Sequence, residues 1–279
     1  MKYPEKVYLN GSIVPHQDAK ISVFDRGFIF GDGLYEVMVQ INGSFFYKEA
    51  HLDRLKDGLQ KVNIKFDVDI LPKEISKLLE ASELTNKDCM LYIQITRGVA
   101  PRQHSYPADI LPTVMMYAIP KVLPDINEID AKVITRDDFR WSRCDIKMTS
   151  LLGNVMLNEE AMQYDCYETI MHRNGLYTEA SHSNVFFVKD NVVYTHPADE
   201  YILNGITRII VLDLCKSLNI EINESPISID DLTTIDEAFL TGTSTQIASI
   251  QQIDEHILYT GNKKGPITRK LQEALLNLK

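Results

Sequence analysis

The sequence predicts an α+β fold in two domains. Three observations carry that prediction: Asn-Gly pairs between apolar runs, apolar residues at helical spacing, and one proline-punctuated polar stretch near the middle. The pairs are Asn10-Gly11, Asn42-Gly43 and Asn174-Gly175. Both residues of such a pair tolerate positive φ, which is what a two-residue hairpin turn demands. The polar stretch is 120–127, with Pro120 and Pro124 following a strand-like run. The predicted division is an N-terminal domain over residues 1–119, a linker over 120–127 and a larger C-terminal domain over 128–279.

Taken in order, residues 7–9 pair across Asn10-Gly11 with 13–14, and 37–41 pair across Asn42-Gly43 with 45–47. Between the hairpins, residues 25–33 hold three glycines and two aspartates and read as a tight loop feeding a strand. Leu52, Leu55 and Leu59 predict a helix over 49–62, with Arg54 on another side of it. Ile75, Leu78 and Leu79 predict a second helix over 71–81. Strands over 90–96 and 113–119 enclose a loop carrying Arg102 and His104. The second half begins with a strand over 131–135 and an amphipathic helix over 151–164. Short strands follow over 167–172, 176–178, 185–188 and 192–194. Gly205 opens a helix whose expected apolar face is Ile206, Ile209, Ile210, Leu212 and Leu214. A strand over 238–241 enters the small-residue loop Gly242-Thr-Ser-Thr245, and Pro266 starts a helix running to Leu278.

Composition excludes several classes. The chain has 279 residues, enough for two real cores, and a net charge of −10 with acidic and basic residues interspersed. That balance speaks against non-specific nucleic-acid binding. Cys89, Cys144, Cys166 and Cys215 show no CxxC spacing and read as reduced thiols of a cytoplasmic protein. His51, His182 and His196 lack metal-ligand spacing, so no metal site is expected. The N-terminal Met1-Lys-Tyr-Pro-Glu-Lys6 has no apolar core of signal-peptide length, and no run is long enough to span a membrane.

The chemistry is expected around Lys147, flanked by Ile146 and Met148, and Glu179 further on. A lysine amine and a distant carboxylate are the pair that a pyridoxal phosphate enzyme uses, the first to form an imine and the second to keep the pyridine nitrogen protonated. Alone, the pairing is common. Two anion-binding features accompany it: Asn204-Gly-Ile-Thr207 at a helix start, and Gly242-Thr-Ser-Thr245 after a strand. Each also reads as an ordinary cap or turn. Arg102 with His104 suits a carboxylate, although loop arginines are commonly just solvated.

Several blocks, running in order over nearly the whole chain, carry a resemblance. They are Asp25-Arg-Gly-Phe-Ile-Phe-Gly-Asp-Gly-Leu-Tyr-Glu36, His51-Leu-Asp-Arg-Leu55, Thr96-Arg-Gly-Val-Ala-Pro-Arg-Gln-His104, Arg140-Trp-Ser-Arg-Cys-Asp-Ile-Lys147, Thr178-Glu179, Ser183-Asn-Val185, Tyr194-Thr-His-Pro197 and Ile202-Leu-Asn-Gly-Ile-Thr-Arg208. The chain resembles the fold-type IV pyridoxal phosphate aminotransferases, and within them the D-amino-acid group. The resemblance implies a small N-terminal α/β domain and a larger C-terminal β-barrel-like α/β domain carrying the Schiff-base lysine. It implies that Lys147 binds the cofactor and moves the proton, and that Glu179 pairs with the pyridine nitrogen. Arg54, Ile206, Thr207 and Thr243 would hold the phosphate, and Leu203 would pack on the ring. Tyr35, Arg102 and His104 would hold the substrate α-carboxylate, the last two reaching over from the other subunit of a homodimer. Ala180-Ser-His-Ser183 stands where relatives carry Gly-Ser-Ser-Ser, and Gly242 where a serine is often found.

The expected activity is ping-pong transamination of a D-amino acid such as D-alanine with 2-oxoglutarate. The carboxylate set favours it over a branched-chain L-aminotransferase of the same fold; an aminodeoxychorismate lyase and an R-selective amine transaminase, which would share Lys147 and Glu179, are the further alternatives. An intact Lys147 and Glu179 speak against a non-catalytic pyridoxal phosphate-binding dimer.

Overall fold

Asn10 and Gly11 take φ of 48° and 92°, and the chain reverses between β1 (Lys6–Leu9) and β2 (Ser12–Pro15) as the pair predicts. A computed structural model describes residues 3–261 and 263–279; Met1 and Lys2, at the head of the segment read above as lacking a leader, and Asn262 lie outside the described residues. Packing divides the chain into two units, Met1–Val122 with Ile146–Ser150, and Leu123–Asp145 with Leu151–Lys279.

The first unit continues with α1 (Arg26–Phe30), β3 (Gly33–Ile41), β4 (Ser44–Phe45), α2 (Lys48–Lys61), α3 (Leu71–Ala81), β5 (Cys89–Thr96) and β6 (Thr113–Pro120). Its strands form one antiparallel sheet in the order β2-β1-β6-β5-β3-β4. Alternation along β3 sends Leu34, Glu36 and Met38 to the face covered by Leu52, Leu55 and Leu59 of α2 and Leu71, Ile75 and Leu78 of α3. The other face carries Tyr35. The region expected as a loop over 25–33 holds a single helical turn instead. The Asp25 side chain accepts from Gly27 N at 2.8 Å and caps it, so β3 starts at Gly33 rather than at 37.

Lys147 was expected in the C-terminal domain, and the packing corrects this. Residues 146–150 lie along the free edge of β3: Tyr35 N donates to Lys147 O at 3.0 Å, Thr149 N donates to Gly33 O at 2.9 Å, and Leu34 bridges Met148. Ile146 and Met148 enter the first unit's core. An unpaired strand edge is a row of unmet donors and acceptors, and this segment satisfies it.

The second unit holds β7 (Asp130–Asp137), α4 (Leu152–Gln163), β8 (Glu168–Arg173), β9 (Leu176–Ala180), β10 (Asn184–Lys189), β11 (Val192–Tyr194), α5 (Ile206–Ser217), β12 (Ile222–Asn223), β13 (Glu237–Gly242), β14 (Gln246–Ile253), β15 (His256–Ile257) and α6 (Pro266–Leu276). Its mixed sheet runs β12-β11-β10-β13-β14-β7-β8-β9, with β15 on β14. In that order β9 and β10 are five strand spacings apart, about 24 Å in a flat sheet at ~4.8 Å each. Yet only residues 181–183 join them, a link that reaches about 14 Å at most. The sheet therefore curls into a half-barrel, around a core that includes Val133, Ile170, Tyr177, Val185, Phe187, Leu240 and Ile250.

Two helices here depart from their predicted faces. On α4 only Leu157 and Ala161 are buried, while Leu152, Val155 and Met156 are exposed, so it is not amphipathic in the expected sense. On α5, Ile209 and Leu212 are half-buried, whereas Arg208, Val211 and Cys215 are buried. Arg208 can go inside because His196 O, Glu224 and Asn204 accept from its guanidinium.

The loop between β5 and β6 turns at Gly98, where φ is 109° and an added Cβ would lie 1.9 Å from Leu111 O. Gly98→Ala is expected to lower unfolding stability by at least about 2 kcal/mol, read from urea denaturation, because neither the backbone strain nor the carbonyl contact can relax cheaply.

Candidate active site

Strand alternation explains why Lys147 sits between two apolar residues. Ile146 and Met148 point into the core with Leu34, and the intervening lysine goes to the opposite face, the face of Tyr35. Its Nζ lies 4.2 Å from the centre of the Tyr35 ring. Tyr35 stacks on Tyr92 at 5.7 Å and Tyr92 on Tyr117 at 5.1 Å, a row of three rings across β3, β5 and β6. The apolar flanks thus reflect alternation at a sheet edge, not an apolar pocket around the amine.

On the covered face of β3, Glu36 is fully buried. Arg54 donates from Nε at 2.7 Å and from Nη2 at 2.9 Å, and the His51 ring meets the same carboxylate through Nδ1 at 2.8 Å. Burial pushes the Glu36 carboxyl upward, but the Arg54 charge and the hydrogen bonds from His51 and Arg54 outweigh it and hold the pKa down at about 2. Burial lowers the His51 pKa, and the Arg54 and Lys147 charges add to this against the pull of Glu36. A neutral His51 that donates Nδ1–H fits both observations, since an ionised Glu36 only accepts. Arg54, expected as a phosphate ligand, is therefore a guanidinium whose plane is set by Glu36. Arg102 and His104 lie exposed on the loop between β5 and β6, both against the Phe30 ring.

In the second unit the curl of the sheet brings Asn184 back to Glu179. The Glu179 carboxylate accepts from Arg140 Nη1 at 2.8 Å on one oxygen, and from Asn184 Nδ2 at 3.1 Å and Leu203 N at 3.0 Å on the other. Asp138 orients Arg140 through bonds of 2.9 and 3.0 Å, and Arg173 lies 3.2 Å from Asp138. Burial raises the Glu179 pKa and exceeds the lowering by Arg140 and Leu203 N. Three residues on, His182 N donates to Glu168 at 2.5 Å, Ser181 and Ser183 hydroxyls donate to the same buried carboxylate, and the half-exposed His182 ring lies 3.2 Å from it.

Helix α5 starts at Gly205 with no side-chain cap, so the amides of Ile206 and Thr207 head the helix as donors for an anion. A Cβ at Gly205 would sit 2.2 Å from Asn184 Oδ1, so only glycine passes here. Thr243 stands in the short turn between β13 and β14, and the Thr241 hydroxyl beside it is buried without a hydrogen-bond partner. In the second unit an uncapped helix end, an orphaned hydroxyl and a buried carboxylate are group types that fit the phosphate and the ring nitrogen of pyridoxal phosphate, and in the first unit Lys147 offers an amine able to form an imine with its aldehyde. Among the described residues no cluster of His, Cys, Asp and Glu could hold a metal ion.

Comparison with known proteins agrees with this chemistry. The pattern of "Amino-transferase class IV" matches residues 33–253. The chain belongs to the class IV aminotransferases. These enzymes use pyridoxal phosphate, and the protein is a pyridoxal phosphate-dependent aminotransferase of that class. It is 38% identical to a D-alanine aminotransferase of Bacillus licheniformis over 98% of this chain and 96% of that one. It is 39% identical to a D-alanine aminotransferase of Staphylococcus aureus strain MSSA476 over 97% and 96%. The branched-chain aminotransferase of Thermoproteus uzoniensis, solved with norvaline, is 26% identical with a TM-score of 0.85 over 99% of this chain and 94% of that one. The two-domain α+β architecture is thus that of the fold-type IV class.

Sequence reading did not assign roles to Glu36, His51, Asp138, Arg140, Glu168 or Asn184. Most lie inside the quoted motifs, but what they do depends on partners that spacing does not reveal. Glu36 supplies the test of its own network. Its depressed pKa contributes stability that is present above the ordinary carboxylate range and is lost as pH falls toward 2. Glu36→Gln should therefore be less stable than the wild type by on the order of 3 kcal/mol at pH 7. That gap should narrow steadily between pH 5 and pH 3 in denaturant titrations.

Proposed function

We propose that the protein transfers the amino group of D-amino acids, D-alanine among them, to 2-oxoglutarate, giving pyruvate and D-glutamate in two half-reactions. The observation that carries this reading is the 38–39% identity, over nearly the whole chain, with proteins named D-alanine aminotransferase. Bound pyridoxal phosphate supplies an aldehyde for the amino group and a ring that withdraws electrons from the substrate Cα–H bond.

The chain's residues divide the remaining work. Lys147 would hold the cofactor covalently through Nζ and, once released, take the proton from the substrate Cα. Glu179, fixed by Arg140, Asn184 and Leu203 N, would hold the proton on the pyridine nitrogen. The Ile206 and Thr207 amides, the Thr243 hydroxyl and the Arg54 guanidinium would bind the phosphate, and Leu203 would lie against the ring. Tyr35, Arg102 and His104 would bind the α-carboxylate, the arginine as a fork.

In this reading the working form is a cytoplasmic homodimer, in which Arg102 and His104 serve the partner's substrate. Their exposure supports it, as do Phe24, Phe28, Val99, Tyr106 and Leu111, which are exposed on α1, on the segment before it and on the same loop. No disulfide links the four cysteines, and among the described residues no helix is long and apolar enough to cross a membrane.

Purified protein should absorb in the visible as a yellow enzyme, and borohydride should trap the cofactor on the wild type but not on Lys147→Ala; a trapped adduct in the variant would overturn the lysine assignment. D-Alanine should bleach that absorbance far faster than L-alanine or L-leucine. Faster conversion by L-leucine or L-valine than by any D-amino acid would make the branched-chain reading the correct one.

A further inference from the structure

Arg102 and His104 are exposed, and a long charged side chain on an exposed loop has many rotamers to choose from. A carboxylate fork is useful only where its aim is set in advance. The means of setting it lies in the backbone between them. Gln103 separates the two residues, and its carbonyl accepts from Arg26 Nη1 at 2.6 Å. Arg26 is 3% exposed, on the first turn of α1.

Arg26 is itself clamped. Its Nε donates to Asp32 Oδ2 at 2.7 Å, and the same carboxylate takes Arg97 Nε at 2.8 Å and Nη2 at 3.0 Å. Arg97 opens the loop, reaches back to Val62 O at 2.8 Å and Asn63 O at 3.1 Å, and lies 3.5 Å from the centre of the Tyr106 ring further along it. Burial raises the Asp32 pKa, but the hydrogen bonds and charges of Arg97 and Arg26 more than offset it and leave it lowered, so the clamp is ionic. Two backbone bonds, Arg26 N to Gly98 O at 2.9 Å and Ala100 N to Phe24 O at 3.2 Å, fasten the start of the loop to the same region. The Arg26 and Arg102 guanidinium groups both lie against the Phe30 ring, 4.8 and 5.2 Å from its centre, with the His104 ring 5.7 Å away.

We propose that Arg26, clamped by Asp32, is a positioning residue for carboxylate recognition, fastening the Gln103 carbonyl and thereby setting the spacing and aim of Arg102 and His104. The proposal rests on the reading that these two bind the substrate carboxylate. Arg26 acts through them and touches neither substrate nor cofactor. Glutamine at 26 keeps some length but loses both the charge and the double attachment to Asp32 and Gln103. Lysine keeps the charge and one attachment.

The test compares Arg26→Gln, Arg26→Lys and Arg102→Ala in the holoenzyme, with acetate as a non-reacting carboxylate probe. Arg26→Gln is expected to retain the cofactor absorbance. Its KM for both D-alanine and 2-oxoglutarate should rise roughly tenfold or more, consistent with the sensitivity of bound-state geometry to small displacements. Competitive inhibition by acetate should weaken in parallel, kcat should change much less, and Arg26→Lys should fall between. If folded Arg26→Gln keeps the wild-type KM and acetate inhibition, or loses kcat with KM unchanged, the proposal is wrong. If Arg26→Gln does not fold, the same split read on Arg26→Lys decides. Arg102→Ala separates the two readings. An unchanged KM in that variant sinks the carboxylate assignment itself, while a raised KM there with none in the Arg26 variants sinks only the positioning role.

Discussion

A carboxylate taken out of water must be given donors, and that requirement organises each unit around its buried acid. Glu36 in the first unit draws on His51 and Arg54, three residues apart on α2 and so on one face of the helix. Glu179 in the second draws on a guanidinium, a side-chain amide and a backbone amide from three separate stretches of chain. The half-barrel curl is what brings Asn184 to Glu179. The loop ending at Leu203 then places a peptide N–H on the same oxygen, next to the uncapped end of α5. The contacts that bury the acid thus also fix the loop that leads into α5.

The two acids reach opposite balances. Glu36 takes two hydrogen bonds from Arg54 and is held strongly ionised. Arg140 is divided between Glu179 and Asp138, with Arg173 also on Asp138, and Glu179 keeps a raised proton affinity. A carboxylate with raised proton affinity makes a stronger bond to a cationic N–H than a fully compensated one does. The first arrangement suits a fixed strut for Arg54, and the second suits a partner for a protonated ring nitrogen.

What could be read beforehand was local. Asn-Gly turns, the leucine spacing of α2 and the whole span of α3 are decided within a few residues, and they stand in the structure as predicted. The one-turn helix at 26–30 was missed because glycines there suggested a loop, while its stability comes from the Asp25 cap. Lys147 was placed in the wrong unit because strand addition at the β3 edge is set by pairing with residues more than a hundred positions earlier. The Arg140–Glu179 and Arg54–Glu36 pairs lie 39 and 18 residues apart in sequence, beyond any periodicity, so the supporting acids and bases of the site went unassigned. The resemblance supplied residue roles, and the structure supplied what orients those residues.

The chain's route between units bears on its birth at the ribosome. Residues 146–150 complete the β3 edge and place Ile146 and Met148 in the first unit's core, so that unit lacks a part until synthesis has passed Ser150. Until then the front half of β3 offers bare amides and carbonyls beside an unfinished core. An N-terminal half not yet joined by residues 146–150 therefore carries an open strand edge, the kind of surface that invites pairing with another chain.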